Sequence, residues 1–261
     1  VGANSIFRAA RTTGNPDLVP QEADVWNAGL TWQPSNRFNA SIDYWRFEYT
    51  NLITRENPQG VVDAALGGDP AALAKIEFTG TGDIALINVD FINAPEVKTD
   101  GIDLSATYTW PLAAGNTLSL SGTATYVMNY DAIDQNGNRF DGAGSRNFGT
   151  FARSIPEWRA NVFLTWASEN SALTAIVRYI DSYHDNENDV RVDDHMTLDL
   201  QYSYSFRNLL GNSGDSATTL TVGVINAFDN DIPRINTFGG YDSKVHDPRG
   251  RLVYIGLKQG F

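Results

Sequence analysis

The residues of this sequence with the most chemical potential are acidic and clustered. Between His184 and His195 lie Asp185, Glu187, Asp189, Asp193 and Asp194. Hard cations such as calcium take several oxygen ligands, so the run could hold one, with Asp185 and Asp189 as the first candidates. It lacks the central glycine and terminal glutamate of a twelve-residue calcium loop. A solvated acidic loop is the plainer expectation. The three histidines, His184, His195 and His246, could act as metal ligands or a general base, and His184 and His195 flank one loop. No His-Glu-x-x-His or comparable spacing occurs. Nothing marks a serine as a nucleophile paired with its base. The sequence has no cysteine, which excludes thiolate metal sites and disulfides. The expectation is a non-enzymatic protein without cofactor or resident metal.

A second set of candidates suits binding. Segments 55–86 and 131–156 are long connections, and function concentrates in such loops. They carry the aromatic and acidic side chains Phe78, Asp131, Asp134, Phe140, Asp141 and Phe148, with glycines that permit movement at Gly67, Gly68, Gly80, Gly82, Gly142 and Gly144.

The elements that must position these loops follow a period of two. Nine long strands are predicted over about residues 22–33, 37–54, 87–110, 117–130, 157–166, 171–184, 195–206, 217–228 and 248–261. Ile102, Leu104, Ala106, Tyr108 and Trp110 share one face, against Asp103, Ser105, Thr107 and Thr109. Met196, Leu198, Leu200, Tyr202, Tyr204 and Phe206 alternate in the same way with Thr197, Asp199, Gln201, Ser203 and Ser205. Helical character is confined to Asp69–Ile76, with Asp69 as N-cap and Pro70 at the first helical position. Strands of soluble proteins run about five or six residues. These are longer, and a tilted membrane strand needs about 9–11. The polar faces are rich in Ser, Thr, Asn and Asp, as a wet lumen requires.

The connections alternate short and long, as in bacterial barrels with short periplasmic turns and longer extracellular loops. Only the connection at 207–216 blurs the pattern. Trp32, Trp110 and Trp166 end the apolar face of a strand just before a short turn, Phe206 does so before the fourth, and Phe38 follows the first. They read as one aromatic girdle at the membrane interface. The chain has a net charge of −12, which makes it a poor nucleic-acid binder because phosphate contacts need Lys and Arg. No stretch is long and apolar enough for a transmembrane helix. The expected fold is therefore all-β, an antiparallel transmembrane β-barrel segment. Nine strands are an odd count, and residues 5–11 could supply part of a tenth. A self-contained barrel of about ten strands, a porin or membrane enzyme, is the alternative.

Several motifs resemble those of TonB-dependent outer-membrane receptors. The run Gly14-Asn15-Pro16-Asp17-Leu18-Val19-Pro20-Gln21-Glu22, followed by Trp26-Asn27-Ala28-Gly29-Leu30, is similar to a loop-and-strand signature of that family, with Gln21 interrupting the usual Pro-Glu pair. Thr99-Asp100-Gly101-Ile102-Asp103 resembles the strand after a large loop. Asn226-Ala227-Phe228-Asp229-Asn230 and the stretch from Asp247 to Phe261 resemble the end of the penultimate strand and the last strand. The resemblance covers the whole chain, read as the C-terminal nine or ten strands of a plugged barrel of about 22. It implies uptake of a scarce nutrient such as a metal chelate, vitamin or glycan. The implied partners are the lipid bilayer, the plug and upstream strands of the same receptor, TonB acting through the N-terminal region, and the assembly machinery. Phe261 would be the aromatic terminus which that machinery reads, on a strand whose free edge can pair with another sheet.

Overall fold

The computed structural model describes residues 8–133, 137–207 and 217–259. In chain order its elements are β1 (Ala9–Thr13), β2 (Glu22–Ser35), β3 (Phe38–Arg55), α1 (Pro58–Leu66), α2 (Pro70–Ala74), β4 (Ile76–Phe78), β5 (Ile84–Pro111), β6 (Thr117–Ile133), β7 (Arg139–Asp141), β8 (Trp158–Ala167), β9 (Ser171–Ile180), β10 (Tyr183–Asp185), β11 (Val190–Val192), β12 (His195–Arg207), β13 (Ala217–Ile225) and β14 (Leu252–Gln259). Nine strands form an open wall in the order β14-β13-β12-β9-β8-β6-β5-β3-β2. Every neighbouring pair is antiparallel.

The alternation in sequence becomes two chemically opposite faces because the registers align like with like. Phe38, Tyr108, Leu120, Leu164, Ala175, Leu200, Val224 and Val253 stand side by side across eight strands. One residue further along β5, the opposite face carries Thr109, Ser119, Thr165, Thr174, Gln201, Gly223 and Tyr254. Hydroxyls pair across this polar face, Ser41 with Ser105 at 2.9 Å, Thr109 with Ser119 at 3.0 Å and Thr165 with Thr174 at 3.0 Å. The Tyr254 hydroxyl donates to Gln201 at 2.8 Å. On the apolar face nothing among the described residues covers Val253, Ile255 and Leu257, which are 74%, 74% and 72% exposed. An isolated soluble sheet seldom leaves such a continuous apolar surface open.

Glycine is required where a ring and a neighbouring backbone crowd the wall at position 101. A Cβ at Gly101 would collide with the Trp45 ring and the Tyr126 carbonyl. The register between β5 and β6 shifts at Asp100 and Gly101, a bulge that brings these backbones together.

All nine predicted wall strands are present, with differences at their ends. The strand expected to 184 stops at Ile180, and Tyr183–Asp185 instead pairs with Val190–Val192 as a separate hairpin. The strand expected to 228 ends at Ile225, because Asn226 and Asp229 take φ of 51° and 59°. The last strand begins at Leu252 rather than 248, just after Gly250 with φ 64°. α2 carries the expected Asp69 cap, whose side chain accepts from the Ala71 N–H. α1 was not anticipated. Its Asn57 cap and Pro58 are good start signals, but Gly60, Val61 and Val62 inside it favour other conformations. The tenth-strand reading is also corrected. β1 runs parallel to residues 86–90 of β5, so it does not extend the antiparallel wall.

Candidate functional site

The structured loops gather at one end of the wall, and β5 carries them. This 28-residue strand pairs with β3 and β6 along its lower length. Its first residues rise further and hold β4 and β1. There α1, α2 and β4 pack on it around Val61, Ala72, Ile76, Ile87 and Val89. Ile87 and Val89 share one face of β5 by the period of two, so one strand serves the wall below and a small core above. An ionic pin fixes the assembly. The Lys75 ammonium donates to both Glu56 oxygens, at 2.6 and 2.7 Å, and lies 3.3 Å from Asp90. Burial works to lower the Lys75 pKa, but the two carboxylates outweigh it and the pKa is raised.

A second assembly ties three loops together. Arg146 is 6% exposed, and its guanidinium donates to Asp185 at 3.0 Å, to Glu187 at 2.8 Å and to Thr237 at 2.8 Å. Burial opposes ionisation of Asp185, yet donation from Asn188 and Arg146 holds its carboxyl below the usual range. Burial raises the Glu187 pKa; Arg146 opposes the rise, and the neighbouring Asp185 and Asp63 carboxylates add to it. Alongside, Asp242 accepts from the hydroxyls of Ser154 and Tyr183, at 2.6 and 3.2 Å. His246 stacks on Tyr183 and stands edge-on to His195, with centroids 6.0 and 5.5 Å apart. Burial pushes the His246 pKa down to about 4, with His195 and Arg159 adding to the shift and Asp242 opposing it.

Between α1 and these loops lies a cleft of about 420 Å³ lined by Gln59, Gly60, Asp63, Phe148, Gly149, Thr150, Asn186 and Glu187. Asn57 sets its width. Its side-chain oxygen caps α1 on the Gln59 N–H, and its amide donates to the carbonyls of Phe148 and Thr150 at 2.6 and 2.7 Å. The Arg146 guanidinium sits 4.4 Å above the Phe148 ring, a cation over the electron-rich face.

The structure thus brings the two long segments together but gathers few of the predicted residues. Phe148 lines the cleft. Phe140 packs edge-on against Phe151 at 6.1 Å. Asp131 and Asp141 lie opposite each other in the β6–β7 pair, and Asp141 accepts the Tyr130 and Ala143 N–H groups. Phe78 is half-exposed at the end of β4. Asp134 and Phe261 lie outside the described residues. Asp185 points inward to Arg146, whereas the Asp189 side chain is 97% exposed, 3.3 Å from His184. No group of three or more potential metal ligands occurs among the described residues. Sequence reasoning missed Asn57, Gln59, Asp63, Arg146 and Asp242. The Asn57-Pro58 pair was the one local signal available, since it marks a helix start.

At the other end of the wall stand Trp32, Phe38, Trp110, Trp166 and Phe206, beside the short connections. Trp32 meets Phe38 edge-on at 5.3 Å, Tyr108 meets Trp110 at 4.5 Å and Tyr204 meets Phe206 at 4.6 Å. Trp110 and Trp166 flank Leu118 in one lateral row. The sequence model of the family described as TonB dependent receptor-like, beta-barrel, matches residues 2–227. The chain belongs to the TonB-dependent receptor β-barrel family. Its open nine-stranded sheet is thus part of a barrel wall. Among solved structures, this receptor chain resembles a ferric enterobactin receptor of Pseudomonas aeruginosa determined with enterobactin, at 19% identity and a TM-score of 0.57, over 95% of this chain and 32% of that one. It resembles the siderophore receptor PirA of Acinetobacter baumannii at 17% identity and a TM-score of 0.57, over 94% and 32% of the two chains. The copper transporter OprC matches at 13% identity and a TM-score of 0.58, over 93% and 32%. The chain therefore spans about a third of the solved receptors it matches. At these identities the likeness is one of fold. A comparison with curated protein sequences finds no match.

Proposed function

We propose that this chain supplies barrel wall and extracellular ligand-capture loops to a TonB-dependent transporter that imports a scarce nutrient, a metal chelate, vitamin or glycan, across the outer membrane of a Gram-negative bacterium. The carrying observation is the pair of lateral rows, Phe38 to Val253 apolar and Thr109 to Tyr254 polar. The apolar row suits hydrocarbon and the polar row a hydrated lumen. Trp32, Phe38, Trp110, Trp166 and Phe206 form the periplasmic girdle in this reading, which puts the Arg146 hub and the cleft outside the cell. The outer edges of β2 and β14 have no strand partner among the described residues. Unpaired backbone groups are costly in lipid, so the wall closes on further strands of the same receptor, around its plug. TonB acts through that remainder, and Phe261 serves the assembly machinery. The role needs no covalent chemistry; binding occurs at the outer mouth and release follows plug movement.

The test uses the whole receptor in its own bacterium. Spin labels at positions 164 and 165 are expected to report opposite surroundings, position 164 reached by lipid-soluble oxygen and position 165 by a water-soluble relaxant. Uptake dependent on the receptor is expected to stop when TonB is deleted. Equal accessibility at the two positions, or uptake indifferent to TonB, would overturn the proposal.

A further inference from the structure

The transport reading leaves the chemistry of the cargo open, and the cleft beside α1 narrows it. We infer that this cleft binds an uncharged polyhydroxylated ligand, the exposed end of a saccharide, as the first capture site of the proposed transporter; the inference rests on that reading.

The lining decides the class. It offers two carboxylates, two carboxamides, a hydroxyl and one aromatic ring, and no lysine or arginine. Carboxylates accept hydrogen bonds, while carboxamides both accept and donate. Adjacent sugar hydroxyls present the same mixture and match it. An anionic ligand, such as a negatively charged metal chelate, meets two like charges instead. The nearest guanidinium does not compensate, because Arg146 is buried against Asp185 and Glu187.

The acceptors are held in place before any ligand arrives. Gln59 donates to Asp63 Oδ1 at 2.8 Å, and Arg146 holds Glu187 Oε2 at 2.8 Å. Each carboxylate therefore has one oxygen fixed and a second that accepts no other hydrogen bond among the described residues. Such preorganisation lowers the ordering cost of binding. Phe148 supplies the apolar element. With the Arg146 guanidinium over its ring, its side toward the cleft can take the C–H face of a pyranose, whose weakly positive hydrogens complement the aromatic quadrupole. The volume, about 420 Å³, lies within the range of small-ligand sites.

Two substitutions separate the possibilities. A Cβ at Gly149 would meet Asp63 Oδ2 at 3.6 Å, an ordinary contact, so Gly149→Leu fills the cleft without disturbing the backbone. Asp63→Asn keeps the shape and removes one charge. The whole receptor, purified from outer membranes, is titrated calorimetrically with neutral malto-, cello-, xylo- and manno-oligosaccharides, and with ferric enterobactin as the anionic probe. At least one oligosaccharide is expected to saturate. Asp63→Asn should weaken it about tenfold, the loss of charge assistance on one hydrogen bond, and Gly149→Leu should abolish it. Saturation by none of the oligosaccharides, or by one that both variants leave unchanged, overturns the inference. Ferric enterobactin that binds, and binds more tightly to Asp63→Asn, overturns it too and assigns the cleft to anions. TonB-dependent uptake of that chelate would then leave the transport proposal standing.

Discussion

Replacing Arg146 with alanine removes the cation that joins three loops, and the structure sets the size of the loss. Asp185 is fully buried, so without its counter-ion its charged form is left uncompensated. Removing one partner of a buried pair costs about 3–5 kcal/mol. Asp185 retains two donors, the Asn188 amide at 2.7 Å and the Glu187 N–H at 3.2 Å. The low end, about 3 kcal/mol, therefore applies. The wall does not depend on the hub, so the loss should appear as local opening of the loops. At about 1.4 kcal/mol per decade, amide protection should fall by roughly a hundredfold. The reporters are the bonds between loops, His184 N–H to Gly144 O at 2.7 Å and the N–H of residue 146 to His184 O at 2.9 Å. Hydrogen exchange read by mass spectrometry on the receptor in bilayers measures them beside wall peptides from β8 and β9. A second change, Asp185→Asn in the alanine background, removes the stranded charge and should restore about half of the protection. Unchanged loop amides, or wall amides that lose protection equally, would refute the reasoning.

Three further outcomes are expected. Val162→Arg places a charge on the apolar face at the middle of β8 and should destabilise the folded barrel in lipid vesicles by about 2–4 kcal/mol in a urea titration, whereas Thr165→Arg on the opposite face should change stability little. Asn57→Asp keeps the α1 cap but loses the donor to the Phe148 and Thr150 carbonyls, so exchange at residues 148–152 should quicken while α1 holds; Asn57→Ala should release both. The His246 pKa is depressed from 6.5 to about 4, so the folded loop favours the neutral ring while the opened loop takes a proton near 6.5. The stabilisation is complete above pH 6.5 and is lost progressively down to about pH 4, at most about 3 kcal/mol. The groups facing His246 are Tyr183, His195, Asp242 and Arg159. Exchange in segment 226–251 should accelerate across that interval, and His246→Phe should flatten the dependence.

The wall was legible because its information is local. A two-residue alternation names both faces of a strand, and short turns then fix neighbours and register. The ends were harder to read because alternation runs on past the point where the backbone turns, as at Asn226, where φ is positive. The hub and the cleft were not legible, since their partners are chosen in space. Arg146 meets Asp185 across 39 positions, and Asn57 meets Phe148 across 91. Asp185 looked like part of a solvated acidic run, and its carboxylate turns inward only because a distant guanidinium is there. β1 illustrates the same limit. A short strand can be recognised, but not that it lies parallel against the upper part of β5.

The length of β5 has a mechanical consequence. At about 3.3 Å per residue its 28 residues reach some 90 Å if straight, far beyond the hydrocarbon thickness of about 30 Å. The excess is a mast continuous with the hull below it. The α1–α2–β4 unit is stepped onto that mast by paired strands and a packed core. Its position follows that of the wall strand beneath it, so the rim of the cleft is set by the wall. A force applied to β5 within the wall, by whatever moves there, would be felt directly at the cleft rim.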